Sequence, residues 1–189
     1  YENLDALDIE LFNNNMNDLL AGKSVDLPRF DFMTGQKVFG KRITSISENQ
    51  PIVIEGIHGL NEKLTKFIPK EEKFKIYISP LAQINIDVHN RVPTTLERML
   101  RRIVRDNLFR GHSAKDTIAT WPKVRAGEEK NIFPYSGEAD VLFNSYHIYE
   151  ISVLRKYAEP LIEEISQEDK EYAEAQRLLL LILMNLIMD

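Results

Sequence analysis

Three short runs rich in β-branched residues constrain this chain more than any other feature: Pro51–Glu55 (PIVIE), Phe74–Ser79 (FKIYIS) and Ala139–Asn144 (ADVLFN). Continuous apolar runs of this length, as opposed to alternating ones, are the look of strands covered on both faces. Helical patterns stand between them, which argues for an α/β chain with a mainly parallel sheet. Leu4, Leu7, Leu11, Phe12, Met16, Leu19 and Leu20 recur at helical spacing, and Gly22 stops the run. Thr94–Arg110 predicts a strong helix, with Thr94 as its cap, Glu97 completing a capping box and Gly111 ending it. Lys115–Thr120 and Lys123–Lys130 predict two short helices broken at Pro122. Lys156–Ser166 and Glu168–Met188 predict closing helices. Val25–Gly40 predicts extended pieces around Thr34-Gly35, and Tyr146–Ser152 a further strand.

Composition narrows the function classes. The chain has 189 residues, 43% hydrophobic and 28% charged, as expected for one ordinary globular domain, and no repeat or linker splits it. With no Cys, disulfides, thiolate metal sites and cysteine nucleophiles are excluded. A net charge of -5 supplies no field that would recruit nucleic acid or an acidic membrane. The longest apolar run, Leu178–Met188, is interrupted by Asn185 and falls short of the roughly 20 residues a bilayer span needs. No signal peptide is present, so a cytoplasmic protein is expected. On a helix Leu178–Met188 would be apolar on every side, and the expectation is self-association through 178–188 or packing against a segment outside this sequence. The chain opens at Tyr1 inside a helical pattern and ends at Asp189 just after the apolar run. That predicts a piece of a larger protein.

The helix Thr94–Arg110 carries the most informative chemistry. At 100° per residue, Arg98, Arg101, Arg102 and Arg105 fall within roughly a 100° arc. Met99, Leu100, Ile103, Val104 and Leu108 take the other side, and Arg110 and His112 flank Gly111. The guanidinium fork matches phosphate oxygens, so a cationic stripe beside a Gly hinge suits a lid over a polyphosphate. A solvated helix face making surface ion pairs would look the same. Glu55 ends PIVIE, where open α/β sheets place ligands, and could hold magnesium through water or simply bond loop backbone. Gly22-Lys23-Ser24 imitates the tail of a P-loop, but Asn17 stands where the first Gly should be and the segment follows a helix. The four His show no metal spacing. Phe30 and Phe32 read as core on spacing alone, and Trp121 before Pro122 as the anchor of a helix break.

"RRIVRDNLFRGH" (Arg101–His112), "IVIEGIHGL" (Ile52–Leu60), "PRFDFMTG" (Pro28–Gly35) and "ADVLF" (Ala139–Phe143) together resemble, in order, segments of the uridine kinase/phosphoribulokinase-like family. The likeness covers most of Tyr1–Ser166, and is nearest to bacterial uridine-kinase-like proteins that carry extra N-terminal domains. It implies a three-layer P-loop-kinase-like parallel sheet with flanking helices and an Arg-bearing lid, lacking the first strand and P-loop. It implies transfer of the γ-phosphoryl of ATP, with magnesium, to a nucleoside (uridine-like) or related sugar-alcohol hydroxyl. Asp5 then resembles the ribose-hydroxyl acceptor, and Phe30 and Phe32 the aromatic pair that holds the base. Glu55 resembles the carboxylate near magnesium, Arg102 the residue reaching the nucleoside, and Arg105 and Arg110 the lid arginines on phosphate. His112 stands where a lid Arg is expected and Thr120 where a Gln is. Gly35 replaces a base-reading His, Phe30 replaces a Tyr, and Ala82–Pro93 is an insertion. The P-loop unit and the Asp expected as general base would precede Tyr1.

Residues 1–166 are therefore expected to be the acceptor-binding and lid part of a kinase domain, inactive alone, and 167–189 a C-terminal apolar helix. The competing expectation is a non-catalytic nucleotide-, RNA- or protein-binding module that retained the fold.

Overall fold

A computed structural model describes residues 3–31, 34–83, 85 and 88–184. The chain divides into two compact units, each discontinuous in sequence. One comprises Tyr77–Glu128 and Val141–Asp189, the other Glu2–Ile76 and Glu129–Asp140.

In the Glu2–Ile76 unit, α1 (Ile9–Leu20) is preceded by a single 3-10 turn, Leu4–Ala6. The sequence pattern ran straight through from Leu4, but the chain bends at Leu7-Asp8. There the Asp8 carboxylate accepts the Leu11 N–H at 3.0 Å and starts a new helix, as an N-cap side chain does. Gly22, at φ 76°, ends the turn that follows α1. Strands β1 (Val25–Asp26) and β4 (Ile43–Thr44) pair antiparallel, as do β2 (Arg29–Asp31) and β3 (Gln36–Val38), around Thr34-Gly35. Met16, Leu19 and Val25 form the core, with Phe12, Leu27, Ile46, Ile52 and Ile68 against it.

PIVIE is not a strand in this structure. Pro51–Glu55 is irregular, and only Ile52 reaches the core, while Val53 is 87% exposed. A run of this kind is buried on both faces only where neighbouring strands and covering helices supply partners, and no described strand pairs with it.

Strands β5 (Ile76–Ser79) and β6 (Val141–Asn144) form the one parallel pair among the described residues. The Asp140 N–H donates to the Lys75 carbonyl at 2.9 Å and the Ser145 N–H to the Ser79 carbonyl at 3.0 Å, so both strands advance together. The Asn144 amide closes their C-terminal end. Its oxygen accepts the Leu81 and Tyr146 N–H groups and its nitrogen donates to the Leu81 carbonyl.

The other unit is built on helices α2 (Thr94–Arg110), α3 (Ala114–Asn131), α4 (Glu150–Glu163) and α5 (Tyr172–Met184). Met99, Leu100, Ile103, Val124, Ile151, Ala158, Ile162, Ala175, Leu178 and Ile182 are essentially inaccessible and form one core. Three sequence expectations are corrected here. Helix α2 is capped by Pro93 with no side-chain bond, so Thr94 and Glu97 make no capping box. The box lies instead at α3, where Ser113 Oγ accepts the Asp116 N–H at 3.1 Å and donates to its carboxylate at 2.6 Å. Helix α3 runs through Pro122 unbroken. Ile118, Trp121 and Val124 are buried in the core on either side of it, and packing outweighs the missing hydrogen bond. Tyr146–Ser152 is not a strand: Tyr146–Tyr149 is irregular and turn, and Glu150–Ser152 is the first turn of α4. Ile151, Ala158 and Ile162 repeat at helical spacing on its buried face. Along α5, Leu178, Leu181 and Ile182 are buried, whereas Leu180 is 57% and Leu183 43% exposed. Residues 185–188 of the apolar run lie outside the described residues.

Candidate functional site

Helix α2 divides its arginine stripe into two groups with different partners. In its first half, Arg98 forms a fork with the buried Glu128 carboxylate, with Nη1 donating to Oε2 at 2.8 Å. Arg101 donates to Glu150 through Nε and Nη2, and to the Ser145 carbonyl at 3.0 Å. These two arginines tie α2 to α3 and to the start of α4. They are structural cations.

Glu97 lies beside them with no exposed surface, and neither carboxylate oxygen has a hydrogen-bond partner. Arg101 Nη2 is 3.4 Å from Oε1. Burial pushes the Glu97 carboxyl up to about 7, Arg101 opposes this, and Glu150 pushes the same way. The Tyr146 hydroxyl is likewise buried without a hydrogen bond. Burial, with Glu97 and Glu150 adding, holds it up at about 12.

In the second half of α2, three arginines converge on one carboxylate. Asp106 Oδ1 accepts from Arg105 Nε at 2.9 Å and Nη2 at 2.7 Å, and lies 3.2 Å from Arg110 Nη1. Its Oδ2 lies 3.3 Å from Arg102 Nε. Three guanidinium groups share this one carboxylate. The Asp106 side chain is only 6% exposed, while those of Arg105 and Arg110 are 47% and 51% exposed. The acid thus forms a floor, and the two cations open outward. The Asp106 carbonyl also accepts the N–H groups of Gly111 and His112. Gly111, at φ 67°, ends the helix as the sequence pattern predicts. Asp106 was missed from the sequence, although Arg102, Asp106 and Arg110 stand at i, i+4 and i+8, the spacing of helix-face ion pairs.

The remaining predicted residues fall in the other unit, apart from His112, which is exposed just past Gly111. Asp5 is exposed on the 3-10 turn, accepting from Asn3 Nδ2 at 3.3 Å. Phe30 is 51% exposed on β2, with Lys37 as its partner across the ladder. The Lys37 ammonium pairs with Asp8, and this contact, with the Leu11 N–H, holds the Asp8 carboxyl below its ordinary range. Lys37 therefore links the Phe30 hairpin to the turn that follows Asp5. Neither Asp8 nor Lys37 stood out in the sequence. Phe32 lies outside the described residues. Glu55 is exposed in the irregular segment, and no three His, Asp or Glu groups gather to hold a metal among the described residues.

Residues 1–152 match the family described as Phosphoribulokinase / Uridine kinase family. A uridine kinase of Staphylococcus epidermidis is 27% identical over 143 residues, which are 75% of this chain and 60% of that protein. The chain thus spans less than two thirds of that relative. A uridine-cytidine kinase of Dictyostelium discoideum is 29% identical over 91 residues, 47% of this chain and 20% of its own length. An inorganic pyrophosphatase of Arabidopsis thaliana is 29% identical over 91 residues, 48% of this chain and 12% of its own length.

Proposed function

The chain belongs to the phosphoribulokinase/uridine kinase family, and on that premise we propose that the whole protein transfers a phosphoryl group from ATP to a nucleoside or related sugar-alcohol hydroxyl, this chain being the acceptor and lid portion. The observation that carries the reading is the outward-facing pair Arg105 and Arg110, both about half-exposed above the buried Asp106. Phosphoryl transfer asks little covalent chemistry of the protein. Positioning and charge neutralisation do the catalysis, and arginines that reach the transferring group contribute about 10³-fold or more.

In this reading Arg105 and Arg110 bind the phosphate oxygens, and Arg102 and His112 reach toward the nucleoside. Asp5 accepts from a ribose hydroxyl, and Phe30 and Phe32 hold the base. The arginine pair fits a polyphosphate in charge and exposure. Magnesium, when bound, neutralises phosphate charge and keeps most of its waters. Glu55 offers it one exposed carboxylate through such a water, and no step is assigned to that contact.

The test is Arg105→Ala in the intact protein, assayed with ATP and uridine. Turnover is expected to fall on the order of 10³-fold. Stability should fall by only about 1 kcal/mol, because Arg102 and Arg110 still neutralise Asp106. Near-normal turnover in a folded Arg105→Ala protein would make the stripe a surface ion-pair network and favour the binding-module reading.

A further inference from the structure

The charge arrangement at the end of α2 is unusual for an anion site. A helix C-terminus carries partial negative charge, and a buried acid there adds to it, so electrostatics alone would leave Asp106 out. The acid nevertheless lies 6% exposed beneath two half-exposed arginines, Arg105 donating to it through Nε and Nη2 and Arg110 bringing Nη1 to 3.2 Å. An Arg side chain has many rotamers, and an exposed one must be ordered at the moment it grips a ligand. A carboxylate that already holds two of them removes that cost beforehand, and leaves the outer N–H groups of each fork for an incoming anion.

We infer that Asp106 is a positioning residue that pre-orders Arg105 and Arg110 for a polyphosphate. This rests on the phosphate reading of the two arginines given above. Asp106 does not touch the ligand; it acts through its neighbours. Its backbone carbonyl works in the same sense, because accepting from Gly111 and His112 fixes the turn that carries Arg110.

The inference has a sign that simple electrostatics opposes. Removing the Asp106 charge makes the cluster more positive by one charge, which by Coulomb attraction alone would strengthen anion binding. Loss of positioning weakens it. The experiment is calorimetric titration of the full-length protein with inorganic tripolyphosphate. It compares wild type, Asp106→Asn, Arg105→Ala/Arg110→Ala and the triple variant, each checked for folding by circular dichroism. Asp106→Asn is expected to bind about tenfold more weakly than wild type. In the arginine-free background the same substitution should change nothing. The kcat of Asp106→Asn should fall on the order of tenfold to a hundredfold, with the acceptor KM nearly unchanged. Tighter tripolyphosphate binding by Asp106→Asn, or an equal loss in the arginine-free background, overturns the inference. If Asp106→Asn does not fold, Asp106→Glu replaces it, keeping the charge but moving it by one methylene. Weakened binding is again expected, and wild-type affinity there overturns the claim. Failure of the phosphate reading is separate: Arg105→Ala/Arg110→Ala would then bind tripolyphosphate as wild type does.

Discussion

Replacing Glu97 with Gln converts the buried acid of α2 into a measurable slope of stability against pH. In the folded chain Glu97 has no exposed surface and its carboxyl is held up at about 7, against an ordinary 4.5. Between those values the folded state keeps a proton that the unfolded state has released. Linkage then makes Glu97's contribution fully favourable below about 4.5. It is lost progressively as pH rises, and gone above about 7. At about 1.4 kcal/mol per pH unit, the loss is roughly 3 kcal/mol. Gln has the same shape and cannot ionise. Wild type and Glu97→Gln should therefore differ little near pH 5, and at pH 8 the variant should be more stable by roughly 1–3 kcal/mol. The lower figure applies if the Arg101 guanidinium, 3.4 Å away, swings further toward the ionised carboxylate. Urea denaturation followed by circular dichroism at pH 5, 6, 7 and 8 measures the difference. Parallel pH profiles for the two proteins would refute the reasoning, since the slope would then come from other groups.

Gly111→Ala should cost about 1 kcal/mol, because the residue sits at φ 67° while a Cβ there meets nothing within 4 Å. A much larger loss in a urea titration would mean a steric clash that this backbone does not contain. Leu178→Ala should cost about 2–5 kcal/mol by opening a cavity in the helical core, since Leu178 is fully buried. Leu180→Ala on the exposed side of α5 should cost under about 0.5 kcal/mol, and equal losses at the two positions would disprove the assigned helix face.

Helices were the legible part of this sequence wherever an apolar stripe was both long and matched by a stop. Arg110-Gly111 ended α2 where the pattern put it, because only an αL-tolerant residue closes a helix that way. Where several local signals competed, the sequence misled. Thr94 and Glu97 have the spacing of a capping box, yet tertiary burial of Glu97 took the carboxylate away from the helix end. Pro122 is a strong breaker, yet Trp121, Ile118 and Val124 are buried around it. PIVIE has strand composition, but composition does not supply the neighbours that would pair it. At the candidate site the arginines were visible as a stripe, and their separation into structural and outward-facing groups was not. That division depends on Glu128, Glu150 and Asp106, and two of these acids lie 30 and 49 residues away from the arginines they bind.

The threading of the chain through its two units sets an order of assembly during synthesis. The Lys75 N–H and the Asp140 carboxylate meet across 65 residues, and all of α2 is made between them. At about 5–20 residues per second, the ribosome delivers Asp140 roughly 3–13 s after Lys75. Helix α2 forms far faster than that. The earlier unit must therefore wait, with Ile76 and its neighbours unpaired, while the arginine-bearing helix is already shaped.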